Sequence, residues 1–123
     1  MVMHGYAPRF ISVGPFDRRW EMLGLDDDDL RALEAAIQAD PDGPPLVRST
    51  GGLRKIRFAA PDAGRVKRGS YRVGYAHFAN PGIVLLLQVW AKNQKHDHSA
   101  TERRAIAAAL ARFEELLRTG RIR

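Results

Sequence analysis

Hydrophobic and polar positions along the 123-residue chain change period several times, and each change predicts an element. Phe10 to Val13 reads as a short edge strand, and Gly14-Pro15 separates it from a helical turn or two over Phe16 to Leu23. Leu30, Leu33 and Ile37 recur at helical spacing and predict a helix over Asp26 to Ala39, with acids crowding the first turn where the helix dipole favours them. The helix is expected to stop at the Asp40-Pro41-Asp42-Gly43-Pro44-Pro45 stretch. Two alternating runs follow, Leu53 to Ala59 and Ser70 to Phe78, joined by a loop rich in Gly and Arg. Ile83 to Ala91, entered through the turn signal Asn80-Pro81-Gly82, is almost unbroken in its apolar character and reads as a central strand covered on both faces. Ser99 and Glu102 form a capping box ahead of a last helix whose buried stripe is Ile106, Leu110, Phe113 and Leu117. The order predicts an α+β fold: a small antiparallel sheet packed against N-terminal helices and a C-terminal helix. One domain is expected over residues 10–119, with residues 1–9 as a flexible leader and 120–123 as a basic tail.

Side-chain alternation turns the two runs into a chemical prediction. Ile56 and Phe58 share a face with Arg54, whereas Lys55 and Arg57 project from the other with Leu53. In the next run Arg72 lies on the face of Gly74, Ala76 and Phe78, opposite Tyr71, Val73, Tyr75 and His77. An antiparallel hairpin could bring Arg72 towards Lys55 and Arg57, with the long loop leaving register open. Lys92, just past the central strand, falls on the face of Gln88 and Trp90 if the strand persists.

The charge is strongly localised. Residues 48–72 hold eight Lys or Arg against one acid, so this stretch carries +7 while the whole chain is +6. Residues 16–42 hold nine acids and three bases, a net of −6. A localised basic sheet points to a polyanion such as RNA or DNA. The competing reading is an edge hairpin whose cations discourage edge-to-edge pairing. There is no cysteine, which excludes disulfides, thiol nucleophiles and Cys-ligated zinc. The four aspartates at 26–29 fan out around a helix, which suits capping better than a shared cation. No apolar run is long enough to span a bilayer, and the chain is expected to be soluble and cytoplasmic.

The segments GGLRKIRFA, KRGSYRVGYAHF and VWAKNQ, in that order, resemble the RelE and ParE superfamily of bacterial toxins, most nearly its HigB branch. The resemblance covers residues 10–117 and implies a RelE-like fold and the toxin role of a type II toxin-antitoxin pair. RelE and HigB members act as ribosome-dependent mRNA endoribonucleases (mRNA interferases) that inhibit translation. It further implies ribosome and mRNA as partners, no membrane, no cofactor, and a cognate antitoxin, often with a helix-turn-helix DNA-binding domain. Lys55 and Arg57 match the cationic pair of the family's second strand, Arg72 the phosphate-contacting arginine of the third, and Lys92 the basic residue after the fourth. Where RelE has a further arginine and a tyrosine, this chain has Asn93 and, approximately, Ser99. The alternatives are a ParE-like DNA gyrase inhibitor, which binds without catalysing, and an inactive nucleic-acid-binding remnant.

Metal-free RNA cleavage by an internal 2′-hydroxyl requires charge stabilisation on the phosphorane, which Lys55, Arg57, Arg72 and Lys92 suit. Arg54, Arg65, Lys67, Arg68 and Lys95 extend the basic surface as RNA-binding candidates. Arginine does not surrender its proton, whereas lysine crowded by cations does so more readily, leaving Lys55 or Lys92 for proton exchange. His96 and His98 offer a second acid/base route, against the reading that they sit in a solvent loop without a role. Two imidazoles at i and i+2 with no obvious third ligand argue against zinc. His77 is expected at the edge of the core. Tyr71 and Tyr75 could stack on a base but are placed against a helix by their alternation with Val73.

Overall fold

The computed structural model describes residues 5–60, 69–94 and 97–122. Its elements run β1 (Arg9–Ser12), α1 (Gly14–Met22), α2 (Asp27–Ala39), β2 (Leu53–Ala59), β3 (Ser70–Phe78), β4 (Ile83–Ala91) and α3 (Ala100–Arg118). The four strands form one sheet in the order β1-β4-β3-β2. Strands β2, β3 and β4 make the expected antiparallel meander, but β1 joins β4 in parallel, so the sheet is mixed. The antiparallel expectation does not extend to β1, because periodicity assigns a residue to a face and says nothing of strand direction. Among the described residues no helix is long and apolar enough to cross a membrane.

Two separate cores flank the sheet. On one face Phe16 and Trp20 of α1, with Leu25, Leu33 and Ile37 from α2 and its approach, pack on Phe58, Tyr71, Val73, Tyr75, Val84, Leu86 and Val89. Both tyrosines are therefore packing residues beneath helices. On the other face Ile106 and Leu110 of α3 cover Leu53, Ala76 and Leu85, with Phe113 against Phe78. Both predicted caps form. Asp26 and Asp29 bond each other's backbone N–H, as do Ser99 and Glu102, so the aspartate run serves helix initiation.

The segment between α2 and β2 is held from several sides. The Tyr75 hydroxyl donates to the Pro41 carbonyl at 2.6 Å. Val47 and Leu53 pair across a tight turn in which Gly51 and Gly52 both take positive φ and buried Thr50 bridges the ends. His77 Nδ1 lies 2.9 Å from Asp42 Oδ1 and its Nε2 lies 2.6 Å from the Tyr6 hydroxyl. The Gln38 amide also donates to the Tyr6 carbonyl, and Pro8 is buried. Residues 5–8, expected as part of a free leader, are thus docked on the sheet and on α2, through polar contacts that a hydrophobic-pattern reading does not detect.

Burial pushes the Tyr75 phenol up to about 12, opposed by Arg54 and reinforced by Asp42 and Asp40. A raised folded value means that the neutral phenol's stabilisation is complete below the ordinary phenol value of 10.0 and is lost as pH climbs through about 12. Tyr75→Phe is expected to cost about 1–2 kcal/mol at neutral pH, because the Pro41 carbonyl loses its donor. Urea titrations across the alkaline range check the second half of this expectation: the wild type weakens more steeply than the variant.

Candidate nucleic-acid cleavage site

The register of β2, β3 and β4 decides which cations meet. Arg57 is paired with Arg72, and Arg72 with Trp90 on the far side, so these three form one cross-strand row. The adjoining row is Lys55, Gly74 and Gln88. Helix α3 packs on the next stretch, at Leu53, Ala76 and Leu85, and does not cover Lys55, Arg57 and Arg72. Gly74 keeps the middle of the second row low: a Cβ there would lie 3.2 Å from Leu53 Cδ1 and 3.3 Å from Gln88 Oε1. Lys92 enters from the end of β4, where its N–H donates to the Ser70 carbonyl at 3.0 Å.

Together these residues line a cleft of about 640 Å³, bounded by Lys55, Ile56, Arg57, Arg72, Trp90 and Lys92 on the sheet and by Pro44 and Pro45 beside it. The four cations proposed from the sequence therefore share one concavity. Among the described residues none of the four is ion-paired with a carboxylate. Directly opposed like charges weaken a strand pair by about 0.2–1 kcal/mol, so the Arg57–Arg72 pairing is a feature that folding alone does not favour. Replacing Arg57 with Thr, a good strand former, is accordingly expected to leave thermal stability unchanged or raise it by up to about 1 kcal/mol. Calorimetry of the variant at low salt, where repulsion is least screened, is the measurement.

The remaining candidates separate. Arg54 lies on the opposite face and is committed to the α2–β2 segment, donating to the carbonyls of Asp42 and Pro44, both at 2.8 Å. Proposed from its charge as an RNA-binding residue, it belongs to the scaffold behind the cleft and does not line it. Arg65, Lys67, Arg68, Lys95 and His96 fall outside the described residues. His98 is buried rather than set in a solvent loop. Its Nε2 lies 2.7 Å from Gln88 Oε1, its ring stands edge-on to Trp90, and its carbonyl accepts from Arg103. It does not line the cleft, and instead supports the Gln88 and Trp90 side of its floor. Among the described residues no group of three or more His, Cys, Asp or Glu could hold a metal ion.

Pro44, Pro45 and Trp90 are cleft residues that the charge-led reading left without a role. Trp90 shares the face of Lys92 in the sequence pattern, and that was the available signal. The prolines gave none, because they reach the cleft through an isolated bridge between Leu46 and Arg54 that no periodicity marks. No protein-family model matches the chain.

Proposed function

We propose that this protein is the toxin of a type II toxin-antitoxin pair and acts as a ribosome-dependent mRNA endoribonuclease. The observation that carries the reading is the convergence of Lys55, Arg57, Arg72 and Lys92 on one cleft without acidic partners among the described residues. An RNA phosphate is the ligand for which such a cluster has the right charge and donor geometry.

In the proposed reaction the 2′-oxygen attacks the adjacent phosphorus, its proton leaves, the bond to the 5′-oxygen breaks, and that oxygen takes a proton. The products are a 2′,3′-cyclic phosphate and a 5′-hydroxyl. Charge accumulates on the non-bridging oxygens of the phosphorane, and fixed cations lower its energy most when they are already in place. The antiparallel register supplies that preorganisation for Arg57 and Arg72, and the backbone bond to Ser70 holds the start of Lys92. The arginines offer forked donors to the phosphate oxygens, and Lys55 and Lys92 add compact cationic donors to the same group. His98 contributes by holding Gln88. Attraction to ribosomal RNA phosphates would dock the cationic face, and the ribosome would supply the stretched message.

Expression from a tightly controlled promoter tests the biological half of this reading. Growth arrest accompanied by an immediate fall in amino-acid incorporation is expected, with plasmid supercoiling unchanged. Loss of supercoiling ahead of translation would instead indicate a gyrase poison, and unimpaired growth would indicate an inactive binding module.

A further inference from the structure

The cleft combines two chemistries, and phosphate binding uses only one of them. Cations occupy the sheet, while Pro44 and Pro45 supply an apolar wall without N–H donors. That wall is fastened from behind. The Lys55 N–H donates to the Pro45 carbonyl at 3.1 Å, Arg54 donates to the carbonyls of Asp42 and Pro44, and Tyr75 donates to that of Pro41. Because the Lys55 N–H bonds the Pro45 carbonyl, a prolyl ring and a cation start from neighbouring points of the backbone. A cleft of about 640 Å³ also lies within the size range of sites that enclose a small ligand.

We propose that Pro44 and Pro45 form a nucleobase subsite beside the cations, so that the cleft holds one whole nucleotide: phosphate on Lys55, Arg57, Arg72 and Lys92, base against the prolyl rings. The proposal rests on the RNA-cleaving reading and refines it, by naming what part of the message the cleft recognises. Sequence-tolerant recognition of an unstacked base depends on the area of its face. The prolyl wall offers contact area and no N–H donor, so the subsite favours purines over pyrimidines. Arg54 is then a positioning residue, acting on the base only through the wall it holds.

Calorimetric titration of the full chain at low salt separates the parts, with inorganic phosphate, ribose 5-phosphate and the four nucleoside 5′-monophosphates as probes. The phosphates carry similar charge, so differences isolate the base. AMP and GMP are expected to bind roughly fivefold or more tightly than ribose 5-phosphate, with CMP and UMP between them. Pro44→Ser with Pro45→Ser should bring all four nucleotides to the ribose 5-phosphate level while inorganic phosphate binds as before. Arg54→Met should weaken nucleotides in the same selective way. Equal affinity of the wild type for AMP and ribose 5-phosphate overturns the proposal, whatever the variants do. A purine preference in a protein that cuts no mRNA would leave the subsite standing and remove the endoribonuclease assignment. Cleavage with no such preference would do the reverse.

Discussion

Replacing Lys55 and Arg72 together with alanine is expected to lower mRNA cleavage by about 10³-fold or more, since a single preorganised donor to a developing oxyanion is worth about 10²–10³. The two come from adjacent rows of the sheet and from different strands, so the double variant removes charge from both sides of the cleft. Neither side chain is in an ion pair among the described residues, and Arg72 faces Arg57 directly, so the fold should not suffer. A fall in activity at constant melting temperature is the expected signature. Arg72→Lys should recover only part of the loss, because an ammonium keeps the charge but not the forked pair of donors. Full activity in the double variant would mean that the cleft is not the reacting site.

The largest expected stability effect lies on the other side of the sheet. Trp20 stacks between Phe16 and Phe58, with ring centroids 5.5 and 6.0 Å away, and its indole N–H donates to the Asp26 carbonyl at 3.1 Å. It thereby ties α1, the start of α2 and β2 into one packed unit. Trp20→Ala leaves a cavity and removes one of the two donors to the Asp26 carbonyl, which keeps its bond from the Leu30 N–H, and should cost about 3–5 kcal/mol. For a chain of this size that corresponds to a melting temperature lower by roughly 10–20 °C. Differential scanning calorimetry measures it, and a shift of only one or two degrees would show that the aromatic stack is not central to this core.

The elements and their faces were legible because binary pattern determines them. Ile56 and Phe58 could be assigned to one face of their strand, and Lys55 and Arg57 to the other, from alternation alone. Register was not legible, because the loop joining β2 and β3 is long enough to permit several pairings. The pairing of Arg57 with Arg72, on which the site depends, therefore emerges only in three dimensions. Contacts made by polar groups with carbonyls were hidden for a related reason. Arg54 counts as a cation in the sequence, yet its position is dictated by the carbonyls of Asp42 and Pro44. Likewise Tyr6 is held by His77 and Gln38, far along the chain, and His98 by Gln88 across the sheet. Pro44 and Pro45 looked like the end of a helix and are also the wall of the cleft.

The cationic cleft also suggests how activity and stability are balanced in this chain. Folding would be served by separating Arg57 from Arg72, whereas the proposed phosphoryl chemistry would be served by holding them together. Substitutions that lower the local charge should therefore trade activity for stability, and Arg57→Thr is the simplest of them.

In the proposed function this cleft cuts messenger RNA on the ribosome. Primer extension on a defined mRNA in a reconstituted translation reaction, run with and without ribosomes, tests it most directly. Cuts are expected at in-frame positions only when ribosomes are present, and they should disappear with the Lys55→Ala, Arg72→Ala protein. Equally strong cutting of naked RNA would contradict the ribosome-dependent mechanism, and an uncut message under active translation would contradict the enzyme itself.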